Sequence, residues 1–128
     1  MNWLVVEKVR KRLEPIASVK ELKTSEMHRA AVVLILDSPE KEASLLLIRS
    51  TIRQSDPWSG QIAFLGGHMT NQDTPILETA IRETQEEVGI NLLDHELLGT
   101  INDVCSTRLG LLVTPFVASL RSKVTLVL

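Results

Sequence analysis

An α/β layered fold is what this sequence predicts, and two patterns carry the prediction. Short β-branched apolar runs recur along the chain, and among them lies one stretch, residues 75–88, with helical periodicity and boundary signals at both ends. At 128 residues and 44% hydrophobic, the chain has enough apolar material for one core, so one domain over 1–128 is expected.

Taken in order, the opening MNWLVVEKVRKRLEP interleaves Glu7, Lys8, Arg10, Lys11 and Arg12 with apolar residues, which breaks any signal-peptide core. Val5, Val9 and Leu13 predict an amphipathic helix over about 2–13 that stops before Pro15 and docks on its own domain. Residues 16–27 are a polar connection. RAAVVLIL at 29–36 reads as a buried strand, Asp37-Ser38-Pro39-Glu40 as a turn, and SLLLIR at 44–49 as the hairpin partner. Residues 51–60 read as a loop that Trp58 anchors, and 61–65 as a strand delivering Gly66-Gly67. Two residues without a Cβ there let the backbone approach a metal or phosphate closely. Further strands are expected at 97–104, 111–120 and 124–128, with a turn at 106–110. Pro115 predicts an edge position, a bulge or a strand start.

The helix is bracketed by Thr74 as cap, Pro75 at its first position and Gly89 just past its end. Leu77, Ile81, Thr84 and Val88 form its inward stripe, with Thr84 half-buried. Glu83, Glu86 and Glu87, at i, i+3 and i+4, share another face. Like charges so spaced cost an isolated helix about 0.2–0.5 kcal/mol per pair. Arg82 offsets part of that, and a divalent cation would offset far more. Oxygen-only donors suit Mg²⁺ or Mn²⁺, and such ions pair with phosphorylated substrates.

A net charge of −2 supplies no basic excess for nucleic acid, so no nucleic-acid partner is expected and an anionic substrate must be met by local cations. No apolar run reaches the roughly 20 residues of a membrane span, so a soluble, cytoplasmic protein without a membrane partner is expected. The lone Cys105 forms no internal disulfide, fits a reducing cytosol and reads as structural. His68 reads as solvent-exposed, and His28 and His95 suggest no metal set.

The stretch 66–90, GGHMTNQDTPILETAIRETQEEVGI, resembles the Nudix box, G-x5-E-x7-R-E-U-x-E-E-x-G-U with U bulky and apolar. Thr84 takes one apolar position. Gly67 to Arg82 is one residue longer than the general pattern, and the first glutamate is replaced by Asp73 or shifted. That extension, with LLLIRS at 45–50 and GQIAFLGG at 60–67, is similar to the coenzyme A pyrophosphatase branch, although Leu65 stands where that branch has proline.

The resemblance implies an α/β/α sandwich with a mixed sheet and a metal-dependent hydrolase of nucleoside diphosphates linked to another moiety. Coenzyme A or an acyl derivative is the favoured substrate. The alternatives are ADP-ribose, dinucleotides or nucleoside triphosphates, and a non-catalytic nucleotide- or partner-binding domain. By the same resemblance Glu83, Glu86, Glu87 and the Gly66 carbonyl hold Mg²⁺ or Mn²⁺, and Arg82 orients the glutamates. The general base is Glu83, Glu86 or a carboxylate outside the box. Arg49 and Arg53 either meet the diphosphate or are solubilising surface arginines. The branch continues through a Glu-Val loop, a strand and a helix that do not follow here, which predicts an open sheet edge and either a homodimer or a truncated domain.

Overall fold

The β-branched run HRAAVVLILD forms the longest strand, β1 (His28–Asp37), and three other strands pair along its two edges. The computed structural model describes residues 1–20, 28–40, 42–49, 62–70, 73 and 75–127. After helix α1 (Trp3–Arg10) and β1 come β2 (Ser44–Leu46), β3 (Ile48–Arg49), β4 (Ile62–Ala63), β5 (Leu65–His68) and helix α2 (Leu77–Val88). Strands β6 (Glu96–Thr100), β7 (Val104–Ser106) and β8 (Leu111–Ser119) complete the described elements.

β8 runs parallel to β1 along one edge, from His28↔Leu111 to Leu36↔Ser119. On its far side β8 pairs antiparallel with β6 and β7. The sheet is therefore mixed. Alternation along β1 sends Ala31, Val33 and Ile35 to one face, where they pack with Ile76, Ala80, Val88 and Phe116. Leu34 joins the other face, with Val6, Leu98 and Val117. α2 covers the first face and α1 the second, giving the expected α/β/α layering. Each large side chain fully buried in this way contributes about 1.5–3 kcal/mol.

Residues 44–49 were expected as one strand and form two. Ile35↔Leu46 and Leu36↔Leu45 start a hairpin, whose continuation would set Ile48 and Arg49 against Val33 and Val32. Those positions are taken by Leu65 and Gly66 of β5, which pairs with the same edge of β1. The chain therefore leaves after Leu46, and Ile48–Arg49 pairs with Ile62–Ala63 in a separate ribbon. The two glycines likewise lie inside β5 rather than after the strand that precedes them.

Other boundaries also moved. α1 ends at Arg10, and its end tightens into turns as Arg12 N–H reaches Val9 O and Leu13 N–H reaches Arg10 O. α2 begins at Leu77, two residues later than predicted, after i to i+3 bonds onto the Pro75 and Ile76 carbonyls. Thr74 lies outside the described residues, as do Trp58 and the loop expected at 51–60. The strand expected at 97–104 divides into β6 and β7. That division accommodates Pro115, which sits in a central strand rather than at an edge. The Pro115 carbonyl accepts from Ile101 N–H, so the N–H it lacks would have faced the gap between β6 and β7.

Residues 124–127 form no strand. Val127 N–H instead bonds the Val88 carbonyl, satisfying one of the acceptors orphaned at the end of α2. Thr84 is fully buried, not half-buried. Cys105 is exposed on β7. No described helix is long and apolar enough to cross a membrane.

Candidate active site

α2 lies against β5, and the contact depends on the two glycines. Gly66 has φ +152°, and a Cβ there would fall 2.2 Å from the Ala31 carbonyl oxygen. Its N–H donates to Glu87 Oε1 at 3.0 Å. At Gly67 a Cβ would fall 2.4–2.8 Å from the carboxylate atoms of Glu83. The missing side chain is thus the berth in which the Glu83 carboxylate rests.

Arg82 organises the neighbouring groups. Its Nη1 donates to Glu83 Oε1 at 2.8 Å and to Glu86 Oε2 at 3.3 Å, and its Nη2 to the His68 carbonyl at 3.0 Å. The rest of the guanidinium grips Asp73, Nη2 to Oδ2 at 2.8 Å and Nε to both oxygens at 3.2 and 3.3 Å. Asp73 is buried and also accepts from Thr70 N–H and the Thr79 hydroxyl. Arg82 and these donors hold the Asp73 carboxyl well below the usual carboxylate range, outweighing its burial. Asp73 in turn raises the guanidinium, so the pair stays ionised.

Glu87 has the opposite electrostatics. Burial pushes its carboxyl up, the Gly66 N–H opposes that shift, and the nearby charges of Glu83 and Glu86 add to it. Glu86 is the most exposed of the three, with 59% of its side chain accessible against 19% for Glu83.

The structure therefore gathers Arg82, Glu83, Glu86, Glu87 and Gly66 in one place. Arg49 is exposed on β3, in the separate ribbon, and Arg53 lies outside the described residues. His68 is exposed, as expected, and its part in the site is played by its main-chain carbonyl. Among the described residues no three carboxylate, imidazole or thiol groups converge in metal-ligand geometry, because Glu83 and Glu86 are turned onto Arg82.

Sequence reasoning did not find the anchoring by Asp73 and Thr79. Part of it had a signal: Thr79, Arg82, Glu83 and Glu86 stand at i, i+3, i+4 and i+7, which puts the Thr79 hydroxyl on the same helix face. The fold that brings Asp73 onto that face left no local trace.

The sequence description of the NUDIX domain matches residues 27–109. The chain belongs to the Nudix family. Among similar Nudix proteins, the peroxisomal coenzyme A diphosphatase ndx-8 of Caenorhabditis elegans is 36% identical over 120 residues, covering 92% of this chain and 50% of that protein. The Nudix hydrolase NudL of Escherichia fergusonii, named as uncharacterized, is 38% identical over 90 residues, 70% of this chain and 46% of its own. The chain thus spans about half the length of these curated relatives.

Solved Nudix structures share the fold at lower identity. A Caenorhabditis elegans Ap4A hydrolase binary complex superposes with TM-score 0.64 at 21% identity, over 77% of this chain and 70% of that one. The NUDIX domain of Shewanella oneidensis NrtR, complexed with ADP ribose, gives 0.61 at 17% identity, over 88% and 71%.

Proposed function

We propose that this chain is a metal-dependent Nudix pyrophosphohydrolase of nucleoside diphosphates linked to another moiety, with coenzyme A or an acyl derivative as the favoured substrate. The observation that carries the reading is the berth at Gly67, which holds the Glu83 carboxylate beside Glu87 and the Gly66 amide. Asp73, Glu83 and Glu86 surround one guanidinium and the charge of Glu87 lies close to Glu83 and Glu86, an excess of negative charge that would repel a diphosphate unless cations neutralise it.

The donors fit an oxygen-seeking ion. Glu83, Glu86 and Glu87, with the Gly66 carbonyl, would hold Mg²⁺ or Mn²⁺, which when bound neutralises the diphosphate and lowers the pKa of water. Arg82, fixed by Asp73, orients Glu83 and Glu86. Glu83 or Glu86 takes a proton from the attacking water, whose oxygen bonds one phosphorus as that phosphorus releases the bridging oxygen, which leaves with the other phosphate. Arg49 and Arg53 steady the phosphates. Support for coenzyme A comes from LLLIRS, GQIAF-GG and the longer box, and from the similarity to a coenzyme A diphosphatase.

Mass-spectrometric product analysis of the purified chain with Mg²⁺ or Mn²⁺ tests this across coenzyme A, ADP-ribose, diadenosine polyphosphates and nucleoside triphosphates. Phosphopantetheine and adenosine 3′,5′-bisphosphate from coenzyme A are expected. Preference for another diphosphate would retain the chemistry and reject the substrate, and no turnover by folded protein would reject both.

A further inference from the structure

Helix α1 has two faces, and only one is used by the fold. Val6 is fully buried against Leu98 and Val117, with Val9 packed beside it, which is the docking expected from sequence. Opposite Val6, at i, i+4 and i+7, stand Leu4, Lys8 and the capping Lys11, with Trp3 at the side of the helix between Val6 and that face and Arg12 in the turn that follows. All five are exposed, Trp3 at 59% and Leu4 at 68%. Arg10, by contrast, is spent inside the protein on Glu7 and Glu96. Lys8, Lys11 and Arg12 make no ion pair among the described residues.

The charge is also concentrated. Residues 1–13 carry four basic groups and one acidic group, in a chain whose net charge is −2. A row of exposed cations beside the exposed Trp3 and Leu4 suits a planar anionic surface. The apolar pair can enter the headgroup layer while the cations meet lipid phosphates.

We propose that the outer face of α1 docks peripherally on an anionic phospholipid bilayer through Trp3, Leu4, Lys8, Lys11 and Arg12. This is surface contact, not a span, and it departs from the expectation of no membrane partner. α1 and α2 cover opposite faces of the sheet, so docking leaves the glutamate face of α2 clear of the bilayer.

The test is co-sedimentation of the full chain with vesicles of phosphatidylcholine alone and of phosphatidylcholine mixed with phosphatidylserine. Binding only to the mixed vesicles, weakening as salt is raised, is expected. At about fivefold per basic side chain, replacing Lys8, Lys11 and Arg12 together by Gln lowers the partition coefficient about a hundredfold. The pair Trp3→Ser and Leu4→Ser lowers it while leaving the salt dependence unchanged. These side chains lie outside the core, and circular dichroism checks that each variant is folded. Equal binding to both vesicle types, no binding by folded protein, or a charge-neutralised variant that binds like wild type would overturn the proposal. So would retention on immobilised polyglutamate without retention by vesicles, which would assign the face to acidic polypeptide.

Discussion

Replacing Asp73 by Asn tests the ion pair that holds the site together. Among the described residues, Asp73 Oδ2 receives Thr70 N–H, the Thr79 hydroxyl and Arg82 Nη2, whereas Arg82 Nε is shared between Oδ1 and Oδ2. An asparagine would therefore place its oxygen at the first position and its amide nitrogen at the second, setting one donor against another. Removing one partner of a buried pair costs about 3–5 kcal/mol. With 30% of the Arg82 side chain in contact with water, we expect about 2–3 kcal/mol. For a domain of this size that lowers Tm by about 8–11 °C, measured by thermal unfolding at neutral pH. The pH dependence has a definite sign. The folded carboxyl holds its proton less tightly than the unfolded one, so the pair's contribution is full above the ordinary carboxylate pKa of about 4. As pH falls below that value the contribution declines, and the gap between wild type and variant should narrow. A neutral-pH difference under about 1 kcal/mol that does not change on acidification would refute the assignment.

Two glycine substitutions should separate fold from chemistry. Gly67→Ala pushes only the movable Glu83 carboxylate, so folding is kept within about 1 kcal/mol while kcat falls at least about a hundredfold. Gly66→Ala strikes the Ala31 carbonyl and the Val32 backbone at positive φ, and should cost at least about 2 kcal/mol in denaturant unfolding. Thr84→Val removes a fully buried hydroxyl that has no hydrogen-bond partner among the described residues and should leave stability unchanged or raise it by about 1 kcal/mol, read by urea titration.

Much of this arrangement was legible before any coordinates. The α2 glutamates, their arginine and the glycine that closes the helix at φ +76° are local patterns, and local patterns are visible in a sequence. What escaped was competition between distant segments. That Ile48 must leave β1 because Leu65 holds Val33, or that Val127 finds Val88 instead of a strand, depends on which pairing wins across the fold. Pro115 shows the same limit: its local rule disfavours a central strand, and only the gap between β6 and β7 lifts the objection. In the site, the Asp73–Arg82 pair spans nine positions, and its closure depends on Thr70 N–H and Thr79 converging there.

The central claim is that the α2 glutamates carry out metal-dependent hydrolysis, and Glu87→Gln tests it most directly. Burial raises the folded Glu87 carboxyl above its unfolded pKa, so in metal-free protein its charge weighs against folding as pH rises through the folded value. Removing that charge should therefore leave Tm at or above wild type at neutral pH in the presence of a chelator. Under the same account, turnover of coenzyme A should fall at least about a hundredfold at saturating substrate and not recover as Mg²⁺ or Mn²⁺ is raised. A folded variant with wild-type turnover and an unchanged metal requirement would contradict it.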